Sequence, residues 1–244
     1  MSVYKDFAFY YDALTLDVNY KERTEYLCSL FEKYDRMPSL LLDLACGTGN
    51  FSVELAAKGI QVIGVEPSSD MLSVAMQKAT ENIMYLCQSA EELELYGTVD
   101  GAVCCLDSIN HITDADTLKK AFERVTLFLE KDRLFIFDVN TEYKHREILG
   151  NNTFVTEQEN IFCVWQNFYD ESEKITDINI DIFEEENGSY NRICEDFSER
   201  CYSRGELEAM LNSAGLKIEA VFDEMTFDAP KSDSERIVYV VRRV

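Results

Sequence analysis

The sequence contains little histidine, proline or positive charge, and it has no long apolar run. With only two histidines, His111 and His145, a histidine-based metal site is not expected. No apolar run approaches the roughly 20 residues that cross a bilayer, and no basic segment followed by an apolar core opens the chain. Three prolines and no low-complexity tract leave no proline-rich linker. We therefore expect a soluble cytoplasmic protein, monomeric or homodimeric, with no membrane partner.

Positive charge is scarce as well: the sequence has 23 lysines and arginines but 46 aspartates and glutamates, which gives a net charge of −23. A polyanion such as nucleic acid would be repelled at long range unless a local basic patch compensated. The sequence has no cluster of Lys and Arg with interleaved aromatic residues. We expect no nucleic-acid partner.

The eight cysteines do not have the spacing of a metal or redox motif. None forms a C-x-x-C pair, and several, such as Cys104 and Cys105, lie in apolar strand-like runs. The pattern predicts buried free thiols in a reducing compartment.

Apolar strands alternate with amphipathic helices, which is typical of a parallel sheet covered on both faces. The predicted class is α/β, a doubly wound, mostly parallel seven-strand sheet. Its strands are predicted at 39–45, 61–66, 83–88, 99–106, 133–139, 216–222 and 236–243. Thr113 with Asp116, and Ser203 with Glu206, have the spacing of capping boxes at the start of two helices.

After the fifth strand the pattern changes from βα to antiparallel. Ile178, Ile180 and Ile182 alternate with polar residues, and Asn187-Gly188 is a preferred hairpin turn. We predict three regions: an N-terminal helical lid at 1–34, a Rossmann-like domain at 35–150 and 203–244, and an antiparallel β insertion at 151–202. The insertion is expected to cap the site, where Trp165, Tyr169 or Phe183 would shape an apolar pocket. At least half of these three aromatics are expected to form the core of the insertion instead.

The most informative stretch runs from Asp43 to Asn50, where the first strand ends and a helix begins. Gly47 and Gly49 permit a tight turn and close approach of a ligand to the backbone. A dinucleotide site would have Gly or Ala three residues after Gly49, where Ser52 stands. A carboxylate at Asp43 is unfavourable beside a pyrophosphate and favourable beside a ligand that carries an ammonium and a sulfonium.

The segment D-L-A-C-G-T-G-N resembles the cofactor loop of class I S-adenosylmethionine (SAM)-dependent methyltransferases. The resemblance implies that Glu66 holds both ribose hydroxyls, that Gln88-Ser89-Ala90 reads the adenine edge, and that the segment at Leu106 passes beneath the methionine part. It also implies that the last strand of the sheet is reversed, and that an N-terminal lid places a tyrosine over the cofactor. The expected cofactor-binding residues are Tyr11, Asp43, Ala45, Gly47, Gly49, Asn50, Glu66, Pro67, Met71, Gln88, Ser89, Ala90 and Leu106. The product would be S-adenosylhomocysteine (SAH).

Methyl transfer requires an aligned nucleophile and, for some acceptors, a base. Asp107 and His111 are the candidate catalytic residues, although Asp107 could instead contact the methionine ammonium and His111 could be structural. Candidate acceptor contacts are Tyr10, Asn110, Trp165 and Tyr169.

The acceptor is expected to be a small neutral or cationic molecule. Neither the [DNS]-P-P-[YFW] motif after the fourth strand nor the prolyl-cysteine of nucleic-acid methylation is present. Three alternatives stay open: a methyltransferase of a protein or ribosome-associated partner, a non-catalytic SAM-binding module, and a nicotinamide-dependent oxidoreductase.

Overall fold

A computed structural model describes residues 7–244; the first six residues of the predicted lid lie outside this range. The helices are α1 (Ala8–Leu14), α2 (Tyr20–Tyr34), α3 (Asn50–Ala57), α4 (Ser69–Gln77), α5 (Ala115–Phe128) and α6 (Arg204–Ser213). The strands of the large sheet are β1 (Leu40–Leu44), β2 (Gln61–Val65), β3 (Ile83–Leu86), β4 (Gly101–Cys104), β5 (Leu134–Asn140), β10 (Leu216–Asp223) and β11 (Arg236–Arg243). A 3₁₀ turn lies at Ala90–Glu92 and a π-helical turn at Lys144–Leu149.

The seven strands are arranged in the order β10-β11-β5-β4-β1-β2-β3. The pairs from β5 to β3 are parallel, whereas β11 is antiparallel to both of its neighbours. This confirms the predicted fold class and the reversed last strand. The strand order reverses at β1, so the loops after β1 and β4 diverge there and leave a crevice at the carboxyl ends of the strands.

Both faces of the sheet are buried, which explains why its strands are nearly continuous apolar runs. One face packs on α5 and α6 through Phe122, Val125 and Leu211, and the other packs on α2 and α3 through Phe31 and Leu55. β5 is buried along its whole length. This packing fixes the strand ends that carry the polar residues described below.

The insertion forms a four-stranded antiparallel sheet of β6 (Thr153–Gln158), β7 (Ile161–Asp170), β8 (Ile175–Glu186) and β9 (Ser189–Arg200). Asn187 and Gly188 both have positive φ, as the predicted hairpin turn requires. The prediction that aromatics form the core of this sheet is wrong. Its inner face is isoleucine-rich and packs on α1 and α4; the core residues are Ile178, Ile180, Ile182 and Cys163 with Phe7, Ala8 and Met71.

Most aromatics of the insertion are instead exposed, namely Phe154, Phe162, Trp165, Phe168 and Tyr190. Phe162, Phe168 and Tyr190 lie on the solvent face of the sheet, whereas Phe154 and Trp165 share the face of Ile180 and line the cavity described below. The smaller β-branched side chains of β8 fill the space against α1 and α4. The inner face of this sheet, the predicted cap, is therefore largely apolar, although it also carries the buried Glu199.

Two local predictions are also corrected. The N-cap of α5 is Asp114, whose side chain accepts from the Thr117 backbone, so Thr113 and Asp116 do not form a capping box. The shift of one residue arises because Asp is as good an N-cap as Thr. The capping box of Ser203 and Glu206 is confirmed.

All eight cysteines are free thiols, as predicted, but they are not all buried, because Cys87 and Cys194 are exposed. Within residues 7–244 no helix has the length and apolar character needed to cross a membrane.

Candidate active site

A large cavity lies at the carboxyl ends of the parallel strands. Its volume is about 970 Å³, and its walls come from the loops after β1, β2, β3 and β4, from the α1 segment, and from the inner face of the four-stranded sheet. Ligand sites in proteins have volumes up to roughly this size. The cavity can hold an adenosyl ligand together with a second molecule.

The structure brings most of the predicted site residues together in the wall of this cavity. Of the expected cofactor residues, all but Gly49 line the cavity, and so do Asp107, His111 and Trp165. Tyr10, Asn110 and Tyr169 are not in its lining. The Tyr10 hydroxyl donates to Glu184, which attaches α1 to the cap, and the Tyr169 ring packs 6.1 Å from His145.

Asn110 is fully buried and braces the strand ends. Its Nδ2 donates to the Arg200 backbone oxygen at 2.9 Å, and its Oδ1 accepts from the Asn140 backbone at 2.9 Å. These bonds join the β4 loop, β5 and the end of β9. Asn110 therefore acts on the site through the backbone and does not contact the cavity.

The loop after β1 turns sharply on two glycines with different surroundings. Gly47 (φ +54°) has open space where a Cβ would stand, whereas a Cβ on Gly49 (φ +78°) would lie 2.2 Å from the Tyr85 hydroxyl. Gly49 is required because Tyr85 packs beneath the loop. Gly47 leaves the cavity side of the loop open to a ligand.

This difference predicts that alanine at position 49 lowers mainly the stability of the protein, whereas alanine at position 47 lowers mainly its affinity for SAH. Gly49→Ala should lower the free energy of unfolding by about 3 kcal/mol, since left-handed strain of about 1–2 kcal/mol adds to the clash with Tyr85. Gly47→Ala has only the strain, about 1 kcal/mol, but should weaken SAH binding more than Gly49→Ala does. Urea denaturation and calorimetry measure both quantities. A stability loss as large for Gly47→Ala as for Gly49→Ala would contradict this account.

Asp43 is a buried carboxylate without a cation. It is 2% exposed, and its Oδ2 accepts a 2.6 Å hydrogen bond from the Ser52 hydroxyl. Among residues 7–244 no Lys, Arg or His lies within ion-pair distance of it. Burial raises the pKa of Asp43 to about 7, against the opposing effect of the Ser52 bond. A ligand that brings positive charge to this carboxylate would be stabilised there.

Glu66, at the end of β2, is aimed by two backbone donors. Its Oε2 accepts from the Gly47 backbone at 3.1 Å and its Oε1 from the Ser68 backbone at 3.0 Å. Each oxygen keeps a lone pair toward the cavity, so the carboxylate can still accept two hydrogen bonds from vicinal hydroxyls. Burial raises the pKa of Glu66 as well.

The segment after β3 completes this half of the cavity. The Gln88 side chain is bonded to the backbone of Glu94 through both of its polar atoms, at 2.9 and 3.3 Å. The Gln88 side chain therefore braces its own loop, and residues 88–90 line the cavity. Met71, 4% exposed, offers an apolar surface opposite. This combination of groups suits a flat heteroaromatic ring.

The α1 segment is fastened to the loop by Asp12. Its carboxylate accepts from the Thr48 hydroxyl at 2.6 Å, the Asn50 amide at 2.9 Å and the Lys78 ammonium at 2.6 Å. Although burial raises the pKa of Asp12, the bonds from Lys78, Thr48 and Asn50 outweigh it and leave the pKa lowered. Tyr11, beside it, lines the cavity.

At the far end of the cavity, Asp107 belongs to a buried ion-pair network. Its Oδ2 accepts from the Arg236 guanidinium at 3.0 Å and from the Asn140 amide at 2.6 Å. Burial tends to raise the pKa of Asp107, but the charge of Arg236 and other cations holds it well below its usual range. Such a carboxylate is a weak base, so the site geometry disfavours Asp107 as the proton acceptor.

Leu106 and Asp107 have φ near +55°, an uncommon conformation for residues other than glycine. Their backbone N–H groups donate to Asp138 at 2.8 and 2.7 Å, and Asp138 in turn pairs with Arg236 at 2.7 Å. The strained turn is thus held by one anchored carboxylate. It points the Asp107 side chain into the cavity wall.

His111 faces a carboxylate that the sequence did not indicate. Its Nε2 lies 3.7 Å from Oε1 of Glu199, which comes from β9 of the cap. The other histidine, His145, is fully buried and bonded to the Thr176 hydroxyl at 2.7 Å, and burial lowers its pKa to about 4. His145 is therefore neutral and structural, and His111 is the histidine of the cavity.

Asp107, His111 and Glu199 bring one potential metal-ligand atom each within 4.8 Å of one another. The Arg236 guanidinium already neutralises Asp107 from the side. A divalent cation at this place would have to compete with Arg236 and Asn140, which both donate to Oδ2 of Asp107.

Sequence reasoning missed Glu199, Arg236, Asn140 and Asp12. The first three come from β9, β11 and β5, far apart in the sequence, and no local motif marks them. Asp12 stands in a segment that the resemblance did identify, but its partners Thr48 and Lys78 are known only from the fold.

Comparisons with known proteins agree with this geometry. Residues 41–132 match the model of a methyltransferase domain family. The chain is 32% identical, over 99% of its own length and 97% of the relative's, to "Putative methyltransferase YqeM" of Bacillus subtilis (strain 168).

Solved structures are similar over the whole chain as well. A SAM-dependent methyltransferase from Clostridium acetobutylicum ATCC 824 is 32% identical, with a TM-score of 0.87 and 98% of each chain covered. SAM-bound CalS10, an amino pentose methyltransferase from Micromonospora echinaspora, is 16% identical with a TM-score of 0.79 over 96% of each chain, a likeness of fold alone.

Proposed function

The chain belongs to the class I SAM-dependent methyltransferases, and we propose that its acceptor is a small molecule enclosed in the cavity between the strand ends, α1 and the four-stranded sheet. The observation that carries this proposal is the extent of the cavity, which continues past the cofactor loop to Asp107, His111 and Glu199. SAM supplies a methyl group already activated as a sulfonium. The protein must bind, orient and shield the reactants.

We assign the cofactor half of the cavity by its chemistry. Glu66 would accept from both ribose hydroxyls, the backbone of Gln88, Ser89 and Ala90 would meet the adenine edge, and Asp43 would lie toward the positive charge of the ligand. The space past Gly47 admits the ligand chain close to the backbone. The residues fit the group because each buried acceptor lacks the partner that SAM would supply.

The acceptor half is closed by the cap. Trp165 and Phe197 of the four-stranded sheet line the cavity, and the Phe197 ring lies 5.1 Å from the ring of His111 on the loop after β4. A folded protein or duplex nucleic acid would have to displace this sheet, whereas a small molecule fits beneath it. CalS10, of similar fold, acts on an amino pentose, so the fold can serve a small acceptor.

The experiment uses SAM labelled in its methyl group and an extract of the source organism divided by ultrafiltration. We expect label in the small molecules of the filtrate. Label only in the retained macromolecules would contradict the small acceptor. Absence of label from both fractions, with SAH binding intact, would contradict the transfer itself.

The contacts of Asp12 predict that this residue slows the dissociation of the cofactor product. Asp12→Ala removes three hydrogen bonds that hold α1 on the loop, and because the carboxylate is part-exposed, their loss is worth roughly 1–2 kcal/mol. SAH should then dissociate about 10-fold faster, as measured by stopped-flow displacement. Thr48→Val removes one of the three bonds and should give a smaller increase. Equal dissociation rates in the wild type and Asp12→Ala would contradict the role of Asp12.

A further inference from the structure

Glu199 is the carboxylate at the acceptor end of the cavity that lacks a fixed cation. It is 3% exposed and lines the cavity. Its Oε2 accepts from the Asn140 amide at 3.0 Å, and its Oε1 faces His111. Among residues 7–244, no Lys or Arg comes within ion-pair distance of it.

The neighbouring carboxylates differ, because each of them lies within ion-pair distance of one guanidinium. Arg236 lies 3.0 Å from Asp107, 2.7 Å from Asp138 and 3.0 Å from Glu224. Three carboxylates thus share this cation, and none of its charge remains for Glu199.

The other charged and titratable groups around Glu199 do not compensate it. They are Asp107 and His111 on the β4–α5 loop, and Lys144 and His145 on the π-helical turn. Burial, and next the negative charge of Asp107, raise the pKa of Glu199. His145 is neutral, and Lys144 stands beyond ion-pair distance. A buried carboxylate in these surroundings gains most from a ligand that brings its own positive charge.

We propose that the acceptor is a small amine, that Glu199 binds its ammonium, and that His111 accepts the proton that the nitrogen must lose before it is methylated. This inference rests on the proposed function and names the chemistry of the acceptor. A carboxylate or phosphate acceptor would be repelled by Glu199 and Asp107, and an alcohol would leave Glu199 uncompensated.

The aromatic wall suits the same ligand. Trp165 lines the cavity from β7, and its indole N–H is already bonded to Asn167 at 2.7 Å, so the ring contributes an apolar π surface. Phe197 packs on the His111 ring at 5.1 Å. Aromatic faces beside a carboxylate attract an alkylammonium.

The proposed reaction has two steps, a proton transfer and a methyl transfer. The ammonium gives one proton to Nε2 of His111, and Glu199 stabilises the imidazolium at 3.7 Å. The nitrogen lone pair then forms the bond to the methyl carbon while the carbon–sulfur bond breaks, and that electron pair remains on sulfur. The methylated nitrogen carries the positive charge, and His111 returns its proton to solvent.

The test divides the ultrafiltrate of the source organism on a cation exchanger at neutral pH. Wild-type protein and SAM with a deuterated methyl group are added to the retained cationic fraction and to the neutral and anionic flow-through. We expect labelled products, identified by mass spectrometry, only from the cationic fraction. Labelled products from the flow-through alone would overturn the amine and leave the small acceptor standing, whereas no product from either would overturn both.

Glu199→Gln keeps the shape of the side chain and removes its charge. Product formation should fall about 100-fold, and in calorimetry the SAH complex should bind the amine recovered from the labelled product at least 10-fold more weakly. We expect the SAH affinity and the melting temperature of this variant to equal those of the wild type, which would show that the variant is folded. Asp196→Asn, which removes a carboxylate from the opposite, exposed face of β9, is the matched control and should match the wild type.

His111→Gln separates binding from proton transfer: kcat should fall while the affinity of the SAH complex for the amine stays within about twofold. Equal product formation by Glu199→Gln and wild type would overturn the proposal. So would loss of activity on chelation that a divalent cation restores.

Discussion

Asp43→Asn will weaken SAH binding by about 100-fold while leaving the apoprotein at least as stable as the wild type. A charge-assisted hydrogen bond in a buried site is worth roughly 1.5–3 kcal/mol, which corresponds to about 10- to 150-fold in affinity. Asn can still accept from the Ser52 hydroxyl, so the loop geometry is kept. Calorimetry with SAH and with SAM measures the loss.

The stability of the apoprotein supplies an independent signature. Because the folded-state pKa of Asp43 is raised from 3.8 to about 7, its stabilising effect is full below the unfolded pKa and is lost as pH rises through 7. The shift corresponds to roughly 4 kcal/mol. The difference in unfolding free energy between Asp43→Asn and wild type should therefore grow in favour of the variant from pH 4 to pH 8. Saturating SAH should flatten this dependence in the wild type.

Asp100→Asn is the matched control. Asp100 accepts from the backbones of Ser39 and Leu40 at the opposite end of β1, at 3.1 and 2.9 Å. Its replacement should lower stability and leave SAH affinity unchanged. If Asp43→Asn bound SAH as tightly as wild type, Asp43 would be only a brace for the loop.

Arg236→Met will lower the free energy of unfolding by about 3–5 kcal/mol, because removal of one partner of a buried ion pair leaves the other charges uncompensated. Arg236 is 8% exposed and holds Asp107, Asp138 and Glu224. Arg23→Met is the control: Arg23 also pairs with Glu224, at 2.5 Å, but is part-exposed, so its loss should cost about 1 kcal/mol or less.

A double-mutant cycle tests the electrostatic cause of that loss. Asp107→Asn in the Arg236→Met background removes one uncompensated charge and should recover about 1–2 kcal/mol. Urea denaturation measures all four proteins. A single Arg236→Met variant within 1 kcal/mol of the wild type would show that the network contributes little to stability.

The cofactor half of the site was predictable because its residues are contiguous with the strands that position them. Asp43, Gly47 and Glu66 end strands whose apolar runs are visible in the sequence, and parallel strands bring their carboxyl ends together. The hairpin at Asn187-Gly188 was also marked by local residues, whereas the reversed β11 was expected only from the family resemblance.

The acceptor half was not predictable, because tertiary packing alone brings its residues together. Glu199 is one of several acidic residues on β9, and only the register of β8 and β9, with Thr176 opposite, turns it inward. In the sequence, Arg236 is one of several cationic residues of the last segment. Only the pairing of β11 with β5 places it at the site. The prediction that aromatics form the core of the insertion was wrong for the same reason, because the alternation of residues along a strand does not show which face of the sheet is covered.

The crystal structure of the SAH complex tests the account most directly. We expect both ribose hydroxyls to be bonded to Glu66 and the ligand ammonium to lie on the Asp43 side of the cavity. The sulfur should face the space that Asp107, His111 and Glu199 enclose. An adenosyl group bound away from Glu66, or a sulfur that faces solvent with Glu199 out of reach, would contradict it.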